Sequence, residues 1–290
     1  MRDERLAVIV ASTQRAQTLH ETLLSLLRQH RLPGQILVSV PDDGHLDPAT
    51  RRIENIAVIH SQAGLTRQRN AGIDALAPTI ELVTFLDDDV EVHQEYLENI
   101  VRAFRSRPDA VLADGRVLAD GRDIPRHRAQ EIVAASGNAP RAVTVIGPEL
   151  AYGCNMTVRR SVLATARFDE RLPLYGYMED RDFAFRCARL GQIIRCEDAT
   201  LVHLRPYGGR GSPRRFGFSQ VMNPLYLWRK GSFASRRSVF FQVSRPLVVN
   251  SVLSLVPSQS SHRRQQFAGN CQALGRALRG RIAPEDMLRL

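Results

Sequence analysis

Residues 82–92, LVTFLDDDVEV, constrain this chain more than any other stretch. Leu82, Val83, Thr84, Phe85 and Leu86 make an apolar, β-branched run, the pattern of a strand covered on both faces. The run ends in Asp87, Asp88 and Asp89. Ligands of open α/β sheets bind outside the carboxyl ends of the strands, so these carboxylates stand where a ligand would sit. Adjacent carboxylates repel one another unless a cation is near, and hard oxygen ligands suit Mg2+ or Mn2+ carrying a substrate phosphate. The run therefore offers a divalent-metal site for a diphosphate. A solvated acidic loop is the competing reading, and the flanking segments must decide.

With 290 residues, 43% hydrophobic and 24% charged, the chain is large enough for one well-filled domain and an appendage. Cys154, Cys187, Cys196 and Cys271 form no C-x-x-C pair, so neither a zinc site nor a disulfide framework is expected. Residues 1–5 are charged and the next apolar run is only of strand length, which predicts a cytoplasmic rather than a secreted protein. The net charge of +10 gathers after residue 204, in Arg205, Arg214, Arg215, Arg229, Lys230, Arg236, Arg237, Arg245 and further arginines. Such a region suits an anionic membrane surface, an anionic acceptor or a nucleoside diphosphate, and equally a merely solvated face. Nucleic acid is not expected as a partner, because only 6% of residues are aromatic and no stacking platform or recognised motif appears.

Residues 6–11 read as a buried parallel strand, followed by Ser12, Thr13 and Gln14 and then a helix carrying Leu19, Leu23 and Leu26. Thr18 with Glu21 predicts a capping box for that helix, and Pro33 with Gly34 its end. A second strand over 36–40 runs into Asp42, Asp43 and Gly44, which serve either as ligands for a base or ribose or as turn chemistry. A strand over 57–60 precedes Gly64 and an Arg-bearing helix containing Arg69 and Asn70, whose start could face an anion. An amphipathic helix over 95–105 and a strand over 110–118 follow. The Arg-rich segment 120–142 reads as a mobile loop bordering a substrate site. Beyond it come Gly153, Cys154, Asn155 and Met156, then Phe168, Asp169 and Glu170, then Glu179 and Asp180 opening a helix. Carboxylates in a first turn suit the helix dipole without any chemistry, but the Gly-Tyr-rich approach at 175–177 points to a ligand. A strand near 192–196 and the segment 198–204 end the region, and His203 alone is more simply a core histidine than a ligand.

In this order and at this spacing, the motifs resemble family 2 glycosyltransferases over about residues 6–204. The resemblance implies an α/β protein with a GT-A type, Rossmann-like mixed sheet flanked by helices, and a helical C-terminal appendage. It divides the chain at 204, with a nucleotide-sugar half over 1–118, an acceptor half over 119–204 and a basic extension over 205–290. It implies that Asp89 binds Mg2+ or Mn2+ and that Asp87, with Asp88 beside it, contacts the ribose or metal-bound water. Asp42 or Asp43 would read the base beside Ser12 and Thr13, and Arg69 and Asn70 would line the nucleotide pocket. Gly153, Asn155 and Glu179 would border the sugar or acceptor. His203 would complete the metal coordination, which reverses its reading in isolation, and Asp180 would be the general base. The donor implied is a UDP, GDP or dTDP sugar, and the acceptor a glycan or lipid-linked saccharide.

The family's acidic-Gly-Ser-Thr-Asp turn reads here Pro41, Asp42, Asp43, Gly44, His45, Leu46 and Asp47, leaving open which aspartate reads the base. The run Gly208, Gly209, Arg210 and Gly211 is either a flap over the diphosphate or a linker. Residues 239–256 are apolar but hold Gln242, Arg245, Pro246 and Asn250, which argues against a membrane span. A kinked helix there either packs on the catalytic domain or lies at a membrane interface. A basic helix is expected over 262–278. A sugar nucleotidyltransferase remains an alternative, although its Gly-rich, Lys-bearing loop is missing after the first strand. A catalytically inactive nucleotide-binding relative is another.

Overall fold

A computed structural model of the chain describes residues 2–121, 124–137, 142–205, 211–233, 235–256 and 260–290. Among them, nine strands form one mixed sheet flanked by helices. Four parallel strands make its N-terminal half: β1 (Arg2–Ala11), β2 (Leu32–Val40), β3 (Ile56–His60) and β4 (Leu82–Asp87), in the order β3-β2-β1-β4. Next to β4 lies β8 (Asn155–Arg159), antiparallel to it and to β6 (Ala110–Asp120). The long β9 (Gln192–His203) runs parallel to β6, and the short β5 (Val90–Val92) and β7 (Val143–Val145) pair with β9 antiparallel. The strand expected near 192–196 thus continues through the following segment to His203, irregular in its pairing with β6.

Alternation along β1 divides the core. Leu6, Val8 and Val10 face α1 (Ala16–Leu27) and α3 (Tyr96–Ser106), while Ala7 and Ile9 face α2 (Leu65–Asp74) and α5 (Glu179–Cys187). Both sets are buried, the reason the strands read as continuous apolar runs. Gly72 lets α2 approach: a Cβ there would lie 2.6 Å from Ile9 Cγ2.

Three local expectations are corrected. The first helix begins at Ala16 with no side-chain cap, so Thr18 sits inside its first turn and forms no capping box. Its start is fixed instead by Arg15, whose guanidinium is held by Asp88 and Asp89. Pro33 and Gly34 lie in β2 and the helix stops at Leu27; a proline is tolerated in a strand's opening residues. The segment expected as a loop over 120–142 contains α4 (Arg126–Ala134), which buries Ala129 and Val133 against Val202 and Leu204. Its weak periodicity hid a helix with only a two-residue apolar anchor.

The C-terminal region forms α6 (Pro213–Lys230), α7 (Arg236–Leu253) and α8 (Ser260–Leu278). Gly208, Gly209 and Arg210 lie outside the described residues. At the α6–α8 crossing, a Cβ on Gly217 would lie 2.0 Å from the Gln266 carbonyl oxygen, and one on Gly269 2.0 Å from that of Arg214. Asn270 donates from Nδ2 to the Gly217 carbonyl (2.6 Å), and Asn250 of α7 donates to Asn270 Oδ1 (2.9 Å). This trio of helices is anchored on the sheet domain: Lys230 bridges Asp169 (2.6 Å) and Asp182 (2.8 Å), and Asn223 donates to the Tyr177 carbonyl (2.8 Å). Because backbone cannot yield as a flexible side chain can, Gly269→Ala should cost about 1–3 kcal/mol. Urea unfolding of that variant against wild type measures the loss.

Candidate active site

The carboxyl end of β4 splits the three aspartates. Asp88 is fully buried, receives the Ser12 hydroxyl and pairs with Arg15. Burial pushes its carboxyl up to about 7 against the pull of Arg15. Asp87 and Asp89 reach His203 at the end of β9, Asp89 with one oxygen while the other stays on Arg15 (2.8 Å): His203 Nε2 lies 3.2 Å from Asp89 Oδ1 and 3.8 Å from Asp87 Oδ2. Behind the ring, Nδ1 lies 3.2 Å from Asp120 Oδ1 and 3.1 Å from the Tyr152 hydroxyl. Burial opposes charge on the imidazole, but its close contacts with Asp120 and Asp89 outweigh that and push it up to about 9.

This arrangement fits a divalent cation. Asp87, Asp89 and His203 offer ligand atoms all within 4.8 Å of one another. Asp89 Oδ1 is buried without a hydrogen bond of acceptable geometry. With Nδ1 held by Asp120, Nε2 faces the two carboxylates and would give up its proton to bind a cation, the carboxylate–histidine arrangement typical of metal-bound imidazoles.

Asp87 and His203 line an open pocket of about 300 Å³ together with Gly153, Glu179 and Asp180. Asp180 is fixed by backbone amides: Gly153 N donates to Oδ2 (3.1 Å) and Arg181 N to Oδ1 (2.8 Å). Only glycine fits at 153, since a Cβ would lie 2.8 Å from that of Asp180. The turn before α5 needs left-handed backbone at Gly176 (φ 65°) and Met178 (φ 68°), which brings Glu179 into the pocket floor.

Beneath that floor lies Arg69, 1% exposed. Its guanidinium donates to Glu179 Oε1 (2.7 Å), Asp87 Oδ1 (2.9 Å) and the Gly153 carbonyl (2.8 Å), and it stacks 5.1 Å from the Phe168 ring centroid. One guanidinium cannot neutralise both carboxylates, of which Glu179 is buried and Asp87 half-buried. Burial outweighs the field of Arg69 at Glu179 and pushes it up to about 8.

The remaining candidates are placed as follows. Thr13 bonds Gln68 (3.2 Å) near the ends of β1 and β2. Asp42 accepts from Gly44 N (2.8 Å) and contacts His45 (3.0 Å), while Asp43 meets His60 (3.0 Å); both aspartates are exposed. Asn70 ties α2 to the segment following β8, bonding the Phe168 backbone and Glu170. Asn155 turns away from the pocket to accept from Tyr96 (3.1 Å) and Gly115 N. Neither asparagine is among the pocket-lining residues. Sequence reasoning passed over Arg15, Gln68, Asp120, Tyr152 and Gln242. Asp120 ends a strand as Asp87 does, and Arg15 follows one, so strand ends were the available signal. Gln242 reaches the pocket from α7, with no local signal at all.

Fold and site together define a GT-A type glycosyltransferase. The glycosyl transferase family 2 model matches residues 7–165, and the chain belongs to that family. No curated protein sequence matches the chain significantly. Among solved structures, it is similar to the mannosyltransferase PcManGT from Pyrobaculum calidifontis in complex with GDP-Man and Mn2+, at 15% identity and TM-score 0.57, covering 93% of this chain and 87% of that one. It is also similar to residues 1–349 of S. aureus TarS, at 13% identity and TM-score 0.54, covering 96% and 92%. The same TarS fragment in complex with UDP-GlcNAc matches at 15% identity and TM-score 0.55, with the same coverage. These similarities establish the fold, and family membership the class of enzyme.

Two predictions follow from Arg69. Arg69→Met strips three acceptors of their donor and should cost about 3–5 kcal/mol, with Arg69→Lys intermediate; urea denaturation measures both, and a loss under about 1 kcal/mol would refute the clamp. The second concerns pH. Glu179 has a folded pKa above its ordinary 4.5, so its contribution is full below that value and is lost as the pH climbs through about 8. Wild-type stability relative to Glu179→Gln should therefore fall between pH 5 and 8, by at most about 1.4 kcal/mol per pH unit. Denaturation of the two proteins across that range checks the sign.

Proposed function

We propose that the protein transfers a sugar from a UDP, GDP or dTDP sugar to a hydroxyl of a glycan or lipid-linked saccharide, with inversion at the anomeric carbon, in the cytoplasm. What supports this reading is that Asp180 lines the same pocket as Asp87 and His203, two members of the Asp87, Asp89 and His203 cluster, in a chain of family 2. A volume of about 300 Å³ suits a small ligand group. The donor would lie over residues 1–118 and the acceptor against 119–204, with 205–290 bracing the acceptor side.

A sugar hydroxyl is a poor nucleophile near neutral pH, so a carboxylate must take its proton as the new bond forms. Asp180 has that role: two backbone N–H groups fix the angle of its carboxylate, and it faces the pocket. One base and no covalent nucleophile give a single displacement, so an α-linked donor yields a β-linked product. Asp87, Asp89 and His203 would hold Mg2+ or Mn2+, which when bound supplies charge neutralisation to the departing diphosphate. Asp120 and Tyr152 keep the His203 ring in place. Ser12, Thr13 and one of Asp42 and Asp43 lie toward the nucleoside, where the exposed aspartates can accept from a base or ribose.

Calorimetry with UDP, GDP, dTDP and CDP, with and without Mn2+, tests the reading. One nucleotide should bind in a metal-dependent way, and Asp89→Ala should abolish that dependence. Asp180→Asn should keep nucleotide binding while lowering kcat by roughly 10²–10⁴-fold. Failure of every nucleotide to bind, or an Asp180→Asn enzyme as fast as wild type, would overturn it.

A further inference from the structure

Helix α7 is half partnered. Val239, Val243, Leu247 and Asn250 face inward, toward the apolar and asparagine contacts of α6 and neighbouring segments. The opposite side shows Phe240 at 75% exposure, Phe241 at 58%, Val248 at 61% and Val252 at 58%, and past the helix end Leu255 at 79%. Isolated exposed apolar residues are ordinary, but a row along one helix face is not. Arg236, Arg237 and Arg245 accompany the row, all exposed, and α7 carries no acidic residue. None of the three forms an ion pair among the described residues.

We propose that the outer face of α7 is a docking surface for an anionic lipid bilayer, set beside the catalytic pocket so that the acceptor is taken from the membrane surface. Phenylalanine and branched aliphatics beside arginines match a helix lying in the headgroup region, where each arginine adds attraction to anionic lipid. No described helix is long and apolar enough to cross a membrane, so the attachment is peripheral. A second copy of the chain fits worse: a two-fold contact through α7 would set three arginines against three arginines, between chains that each carry a net charge of +10. The position has a consequence for the reaction. Gln242, next to Phe241, lines the pocket that holds Asp180, so docking through α7 would bring the acceptor wall to the lipid surface. This last step rests on the function proposed above and selects the lipid-linked acceptor over a free glycan.

Vesicle flotation of the full chain tests the proposal. Binding should require phosphatidylglycerol in phosphatidylcholine vesicles and weaken with added salt. It should fall roughly tenfold or more in Phe240→Glu with Phe241→Glu, and similarly in Arg236→Glu with Arg237→Glu. Nucleoside diphosphate binding by the same variants should stay at the wild-type level, which separates failure of the surface from failure of the catalytic reading. Absence of flotation with either lipid, or flotation indifferent to both variants, would overturn the proposal. So would a wild-type dimer, seen by light scattering, that Phe240→Glu with Phe241→Glu dissociates without any vesicle binding, since the face would then belong to a second copy.

Discussion

A single buried guanidinium holds the two sides of this protein together. Arg69 comes from α2, yet its donors go to the end of β4, to the backbone before β8 and to the first turn of α5. The strand that carries the aspartates and the helix that carries Asp180 are not neighbours in sequence, and no sheet hydrogen bond joins them. Their separation is set through Arg69 and the Phe85, Phe168 and Phe183 rings packed around it. A planar donor with several N–H groups in fixed directions can do this where a lysine could not. The surplus negative charge is borne by Glu179, which is driven toward its neutral form.

The same economy extends outward. The first turn of α5 and the residue Tyr177 ahead of it are gripped by Arg69 on Glu179 and by α6 and the residues after it, through Lys230 on Asp182, Ser232 on Asp182 and Asn223 on Tyr177. The C-terminal helices are therefore part of the frame that positions the candidate base. Phe-Asp-Glu is drawn into that frame too: Asp169 accepts from Tyr226 and Lys230 of α6, and Glu170 from Asn70 of α2. A motif that looks like a binding signature in the sequence serves here as a bracket between helices.

The strands at 6–11, 36–40, 57–60, 82–86 and 110–118 and the acidic strand end were legible from short-range pattern, because buried strands must be apolar on both faces and a carboxylate triplet at a strand end has few structural uses; the short β5, β7 and β8 were not. Side-chain direction was not legible. Whether Asn155 points into the pocket or into β6 depends on which strand β8 pairs with, and whether Asp88 faces outward depends on Arg15 across the loop. Arg15 also displaced the capping box drawn from Thr18 and Glu21, because two buried carboxylates fix the helix start more firmly than one cap. The packing of α7 escaped the sequence for a different reason. Its inward and outward faces are both apolar, so its periodicity carries no sign of which one is covered.

Strand order also carries a timetable. During synthesis β4 can pair with β1 as soon as it emerges, but its other edge is completed by β8, roughly seventy residues later. At about 5–20 residues per second the ribosome leaves that edge bare for several seconds, with Val83 and Phe85 still uncovered by α5. Three carboxylates close that apolar run, and like charge at a strand tip opposes its pairing with the same strand of another chain.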